Sequence, residues 1–159
     1  MKLVWTFCFL SLLCFADTKP QLLAPEAVKK VLKTISHTAI VYGNGPKQIH
    51  SFIDPKCEMS RRYMQFVMKK KSMLERYTYY FYLLELPRLD SEGYIGYILD
   101  SKMPEKLLLS IMLNDHRPEH AQDYLPGEKS ETVMYEIIEA AEQIGVYKRP
   151  YIIYNGKAK

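Results

Sequence analysis

The sequence contains little cysteine, tryptophan or glycine, with 3, 1 and 7 of these residues in a chain of 159. It also lacks a large excess of charge of one sign: 22 Lys and Arg residues against 18 Asp and Glu residues give a net charge of +4. This small surplus argues against nucleic acid as a partner, because nucleic-acid-binding domains normally carry a strongly basic patch. The chain is rich instead in tyrosine, with 13 residues, which predicts a tyrosine-rich core or binding face.

The length and composition are those of one globular domain. Hydrophobic residues make up 48% and charged residues 25% of the chain, close to the average of soluble domains. These fractions exclude a disordered or collagen-like chain. No repeat or low-complexity segment divides the sequence, which favours a single folded unit.

A hydrophobic run long enough for a membrane-spanning helix is missing. The apolar run at positions 3 to 16 has 14 residues, short of the ~20 that span a bilayer. It follows Lys2 and ends at the small residue Ala16, which is the pattern of a secretory signal peptide. We predict a signal peptide over residues 1–16, cleavage near Ala16 and export, with no stable membrane span afterwards. An uncleaved membrane anchor is the alternative.

Export also determines how many cysteines the mature protein contains. Cleavage would remove Cys8 and Cys14 and leave Cys57 as the single cysteine of residues 17–159. No disulfide can then form within the chain. A lone thiol in an oxidising compartment pairs with another molecule or stays free and reactive, so Cys57 is the leading candidate for chemistry.

Hydrophobic periodicity and turn residues predict a mixture of helices and strands. The predicted helices cover 25–36, 60–76, 105–113 and 131–144, and the predicted strands cover 38–42, 47–53, 78–86 and 151–154. Gly145 is expected to cap the last helix. This order implies an α/β fold in which helices pack on a mixed sheet.

The segment 52–60 reads F-I-D-P-K-C-E-M-S and places Cys57 between a predicted strand and a predicted helix. It resembles the active-site segment of thioredoxin-like proteins, in particular the DsbC/DsbG family of bacterial periplasmic disulfide isomerases. Three further segments resemble this family in order and spacing: A-I-V-Y at 39–42, L-P-R with D-S at 86–91, and G-V followed by R-P-Y-I-I-Y-N-G at 145–156.

The resemblance implies a thioredoxin-like domain over 37–159 with a helical insertion at about 93–128, preceded by an N-terminal helix and linker at 17–36. It implies a periplasmic location. It also implies a cis proline at Pro150 beside the cysteine, where the backbone of Arg149 would pair with an extended peptide. Arg149 and Pro150 are therefore the predicted substrate-binding residues.

Three features depart from the family. Ser60 stands where the family has its second active-site cysteine, and Arg149 stands where threonine or another small residue is usual. The chain ends at Lys159, so the C-terminal strand and helix of the family are expected to be shortened or missing. The dimerisation domain that precedes the catalytic part of the isomerases is expected to have no counterpart.

The predicted chemistry follows from the position of Cys57 at the start of a helix. Backbone N–H groups and the helix dipole favour the thiolate, which attacks disulfide sulfur, and the cation of Arg149 would act in the same direction. Cys57 and Ser60 are the predicted catalytic residues, but Ser60 cannot resolve a mixed disulfide. Release would require a cysteine of a client protein, glutathione or a membrane reductase. The prediction is thus a single-cysteine exchange protein without a cofactor. The alternative is a redox-inactive thioredoxin-like module that binds or chaperones other chains.

One further pattern resembles a metal-binding motif. Residues 116–120 read H-R-P-E-H and match the letters of a zinc-peptidase motif. Pro118 interrupts the helix that this motif requires, and no third ligand is evident nearby. We interpret the match as chance and predict no metal.

Overall fold

A computed structural model describes residues 23–159 of the chain. The predicted signal peptide and its cleavage site near Ala16 lie outside these residues. The helices are α1 (Pro25–Thr34), α2 (Glu58–Met68), α3 (Lys71–Arg76), α4 (Glu92–Leu99), α5 (Pro104–Asn114) and α6 (Glu128–Ile144). The strands are β1 (Ile40–Tyr42), β2 (Lys47–Ile53), β3 (Tyr77–Leu83), β4 (Tyr151–Tyr154) and β5 (Lys157–Ala158).

These strands form one mixed sheet in the order β1-β3-β2-β4-β5. β2 and β3 are parallel, in a register that pairs Lys47 with Tyr77 and Ile53 with Leu83. β1 pairs with β3, β4 with β2 and β5 with β4, all antiparallel. A parallel pair inside an otherwise antiparallel sheet confirms the predicted α/β fold with a mixed central sheet.

Helices cover both faces of the sheet, because successive strand residues point to opposite sides. Ile53 and Phe81 belong to the core on the face covered by α2, α4 and α5. Phe52 and Tyr82 belong to the core on the face covered by α1 and α6. All four side chains are 0% exposed, so the ends of β2 and β3 from which these residues come are buried on both sides.

Burial changes along β2 from one end to the other. Lys47 and Gln48 are exposed, the next two residues are half-buried, and the three residues that end at Ile53 are buried. The chain therefore leaves β2 from the interior of the protein and enters the segment that contains Cys57. The other end of the strand is open to solvent.

The helix predicted over 60–76 is two helices, which corrects the sequence-based boundary. α2 begins at Glu58 with Cys57 as its N-cap residue, and the separate helix α3 follows. Lys70 lies between them with an extended backbone, at φ −116° and ψ 101°, which is incompatible with a continuous helix. Periodicity did not reveal this break because the apolar spacing continues across it.

The stretch interpreted as a helical insertion contains α4 and α5. α5 agrees with the helix predicted over 105–113, whereas α4 had no predicted counterpart. Glycines weaken the pattern of α4 but are needed for its packing. A Cβ added to Gly93 would lie 2.5 Å from the carbonyl oxygen of Ala121, which is closer than any side chain tolerates.

The C-terminal part follows the prediction closely. Gly145 ends α6 with a left-handed backbone, at φ 80°, and its N–H donates to the carbonyl of Ala141 at 3.0 Å, as expected of a C-terminal cap. β5 follows β4 and contains two residues, and it was not among the strands predicted from the sequence. Among residues 23–159, no helix is long and apolar enough to cross a membrane.

Candidate functional site around Cys57

Cys57 is fixed at the start of α2 by its backbone. Its N–H donates to the carbonyl of Asp54 at 3.1 Å, and its own carbonyl accepts the N–H of Arg61 at 3.0 Å. These bonds place the side chain at the N-terminus of the helix, where the backbone N–H groups of the first turn have no partner within the helix. The residue is 5% exposed, so an attacking or attacked group must approach it from a narrow direction.

The predicted substrate-binding residues lie next to this cysteine. The Arg149–Pro150 peptide bond is cis, as the resemblance implies. The thiol of Cys57 lies 3.6 Å from the carbonyl oxygen of Arg149 and donates to it. The fold therefore brings together residues that are 92 positions apart in the sequence.

The side chain of Arg149 is bound to backbone carbonyls. Its Nε donates to Leu84 at 3.0 Å, its Nη2 to Glu85 at 3.0 Å and its Nη1 to Lys148 at 2.9 Å. Burial lowers the pKa of Arg149, while the nearby charges of Asp54 and Cys57 oppose this shift. Arg149 thus supplies a cation beside Asp54 and Cys57. Its hydrogen bonds to Leu84 and Glu85 also connect the segment after β3 to the loop that contains Pro150.

Asp54 is the residue of this site that the sequence analysis missed. It is 0% exposed, and its carboxylate accepts the N–H of Lys56 at 2.7 Å, the N–H of Leu86 at 2.6 Å and the hydroxyl of Ser91 at 2.9 Å. It therefore connects the segment before Cys57 to the chain that follows β3. An aspartate directly after a buried strand was the available signal, but sequence alone does not show which donors it meets.

Ser60 also has a structural contact. It is 0% exposed, and its hydroxyl oxygen accepts the N–H of Asp54 at 3.3 Å. The first turn of α2 is therefore attached to the end of β2.

Lys56 joins the site to the helical insertion. Its ammonium donates to the side-chain oxygen of Gln122 at 2.7 Å and to the carbonyl of Asp90 at 3.1 Å, and it lies 5.6 Å from the centre of the Tyr94 ring. The side-chain amide of Gln122 donates in turn to the carboxylate of Asp90 at 3.0 Å. These contacts are exposed to solvent, unlike those of Asp54.

The zinc-like pattern at 116–120 does not form a site. These residues lie in a loop and turn after α5, so the two histidines do not share a helix face. In the part of the chain that the structure describes, no group of three or more His, Cys, Asp or Glu residues could hold a metal ion.

Several solved structures share this fold. A periplasmic thioredoxin-like protein from Salmonella enterica serovar Typhimurium has a TM-score of 0.67 and 13% identity, over 87% of this chain and 88% of that chain. The catalytic domain of Proteus mirabilis ScsC has a TM-score of 0.65 and 11% identity, over 87% and 89% of the two chains. Oxidised BdbD from Bacillus subtilis has a TM-score of 0.58 and 15% identity, over 77% and 84%.

No protein-family model and no curated protein sequence matches this chain. At identities of 11 to 15%, the structural likeness establishes the fold and does not single out the DsbC/DsbG family. The chain has a thioredoxin-like fold, with Cys57 at the start of α2 and a cis proline beside it.

Proposed function

We propose that the protein is an exported thiol–disulfide exchange protein that uses Cys57 as its single nucleophile. One observation supports this most directly: the thiol lies at the N-terminus of α2, 3.6 Å from the carbonyl that precedes the cis proline. The helix N-terminus stabilises negative charge on sulfur, and the thiolate is the reactive form in disulfide exchange. The backbone of Arg149 offers an extended peptide a place to bind next to that sulfur.

The proposed reaction has two exchange steps. The Cys57 thiolate attacks one sulfur of a client disulfide, a new S–S bond forms, and the second client sulfur leaves as a thiolate. A second thiol then attacks the mixed disulfide and releases Cys57 as a thiolate. That thiol belongs to the client, to glutathione or to a membrane reductase, because Ser60 cannot act in this step. Electrons balance within the exchanged thiols and disulfides, and no cofactor is needed.

This scheme favours isomerisation, as in the DsbC and DsbG disulfide isomerases that the sequence resembles. A chain with one reactive cysteine cannot take both electrons from a client dithiol. It can rearrange disulfides within a client or remove a small thiol from a client cysteine. A periplasmic location is supported by the signal-peptide pattern before Asp17 and by the periplasmic thioredoxin-like protein that shares the fold.

Adduct trapping tests the proposal. With glutathione disulfide in excess and no reductant, the protein should accumulate a mixed disulfide at Cys57, visible in its intact mass and absent from Cys57→Ser. Ser60→Cys should shorten the lifetime of this adduct, because a resolving thiol is then near. Ser72→Cys places a thiol on an exposed position of α3 and should not shorten it. If the unmodified protein forms no adduct under these conditions, the proposal is wrong.

The burial of Cys57 favours a second candidate, a redox-inactive module that binds other chains. A thiol that is 5% exposed reacts slowly unless the protein opens or the substrate fits the site. Iodoacetamide should separate the two candidates. Alkylation of Cys57 at a measurable rate under native conditions supports exchange chemistry, and alkylation only after unfolding by urea supports the binding module.

A further inference from the structure

A separate cleft lies at the opposite end of β2 from Cys57. It has a volume of about 660 Å³ and is formed by one side of α1, the start of β2 and the turn after β4. His50, in the middle of β2, is the lining residue of that strand nearest to Cys57, and at ~3.3 Å per residue it lies about 10 Å before the end of the strand at Ile53. None of the residues that line the cleft belongs to the site around Cys57.

The cleft is positively charged. Lys29, Lys33 and Lys47 line it, and no aspartate or glutamate does. Lys29 forms an ion pair with Glu26 at 2.9 Å, whereas Lys33 and Lys47 form no ion pair with any of residues 23–159. Unpaired cations around a concave surface concentrate anions.

One wall of the cleft is the open end of a row of aromatic rings. The rings of His50 and Tyr80 are stacked, with centroids 4.7 Å apart and an interplanar angle of 15°. The row continues into the interior through Tyr82 and Phe52, whose ring centroids are 5.0 Å apart. His50 and Tyr80 line the cleft, and each covers one face of the other ring, so a ligand can meet only the outer faces and the edges of this pair.

The imidazole of His50 is an uncharged hydrogen-bonding group near neutral pH, because burial lowers its pKa to about 4. Its Nδ1 lies 2.9 Å from the hydroxyl of Tyr82. Its Nε2 makes no hydrogen bond to the described part of the chain. Either tautomer therefore leaves one ring nitrogen for a ligand, as a donor or as an acceptor.

We propose that this cleft binds a small organic phosphate that carries a planar ring. The phosphate group would lie between Lys33 and Lys47, and the ring would lie against Tyr80 and His50. The volume is within the range of roughly 300–1,000 Å³ that is usual for small-molecule sites. Lysine is a common phosphate-binding residue that acts as a point charge. An aromatic surface beside it favours ligands that also carry a planar ring.

Titration calorimetry with adenosine 5′-monophosphate as the probe tests this proposal. Ribose 5-phosphate lacks the ring and adenosine lacks the phosphate, and each should bind more weakly than the complete molecule. The double variant Lys33→Gln/Lys47→Gln should weaken binding of the complete probe by roughly tenfold or more, since each tenfold step is only about 1.4 kcal/mol. The matched variant Lys69→Gln/Lys102→Gln removes two exposed lysines outside the cleft and should bind as the parent does.

The ring contact has its own test. Tyr80→Leu keeps an apolar side chain but removes the flat surface, so it should weaken binding of adenosine 5′-monophosphate and leave binding of ribose 5-phosphate unchanged. Equal affinity of the unmodified protein for these two ligands would overturn the ring assignment without requiring any variant. Equal losses in the two lysine double variants would show non-specific attraction to a basic protein and would overturn the site.

Discussion

The two ends of β2 differ in how their polar groups are satisfied. At the Ile53 end, the carboxylate of Asp54 and the guanidinium of Arg149 each make three hydrogen bonds to the protein. At the Lys47 end, two lysines have no ion-pair partner among residues 23–159. Buried polar groups require protein partners, whereas exposed charges are satisfied by water. The first end therefore fixes the geometry of a thiol, and the second leaves charge available to a ligand.

The largest expected effect comes from removing the buried carboxylate. Asp54→Ala leaves the N–H of Lys56, the N–H of Leu86 and the hydroxyl of Ser91 without their acceptor. An unsatisfied buried group costs about 1–3 kcal/mol. Ser91 is buried and the two N–H groups are half-buried, so the free energy of unfolding should fall by about 3 kcal/mol. Urea denaturation measures it. Gln48→Ala, at the exposed end of β2, is the control and should fall within about 0.5 kcal/mol of the parent. Similar losses in both variants would remove the distinction between the two ends.

The next effect concerns the guanidinium. Arg149→Thr removes the donors to Leu84 and Glu85 and the cation beside Cys57, so the protein should lose about 1–3 kcal/mol of stability. Formation of the Cys57 adduct near neutral pH should also be slower.

Salt separates the two contributions of Arg149. If the cation attracts the thiolate, the difference in adduct rate between Arg149→Thr and the parent shrinks as ionic strength rises. Arg149→Lys keeps the charge but not the planar set of donors, so it should restore part of the rate and little of the stability. A rate difference that is independent of salt would show that Arg149 acts by position alone.

The lowered pKa of His50 predicts how the free energy of unfolding of the protein depends on pH. Burial lowers its pKa to about 4 in the folded protein, from the 6.5 of an unperturbed imidazole, so the unfolded chain binds a proton more readily. Stability is therefore fully present above pH 6.5 and is lost as the pH falls towards 4. His50→Gln should show a flatter dependence across this range, measured by urea unfolding at each pH. An identical slope in both proteins would contradict the burial of the imidazole.

The smallest effect is expected for the exposed contacts at the Cys57 end. Gln122→Ala removes one acceptor of Lys56 and the two hydrogen bonds that the side-chain amide of Gln122 donates to Asp90, but water replaces them. The loss should be about 0.5 kcal/mol or less, because exposed polar contacts contribute little. Comparison with Asp54→Ala by the same urea titration tests whether burial, and not the number of hydrogen bonds, decides the strength of this end.

The sequence predictions were accurate where neighbouring residues determine the structure, and they failed where contacts between distant residues determine it. α6 and its Gly145 cap were predicted because helical periodicity and a capping glycine are local signals. The break at Lys70 was missed because the apolar spacing continues across it. α4 was missed because Gly93, which reads as a helix breaker, is required where the loop at Ala121 approaches the helix.

The site shows the same division. The segment before Cys57 and the pair Arg149 and Pro150 were identified from their resemblance to a thioredoxin-like family, and the fold does place them together. The sequence did not reveal Asp54, because two of its three donors, Leu86 and Ser91, lie in the distant segment that follows β3. It also did not reveal the basic cleft, since α1, the start of β2 and the turn after β4 meet only in the folded protein.

The sequence by itself determined the helices and strands with clear periodicity, the α/β class and the single cysteine of residues 17–159. These depend on residues that are neighbours along the chain. The tertiary structure decided the partners of Asp54 and Arg149, the 3.6 Å contact of Cys57 with residue 149 and the open stack of His50 on Tyr80. Hydrogen bonds and burial require particular atoms in contact, and only the folded chain determines which distant residues supply them.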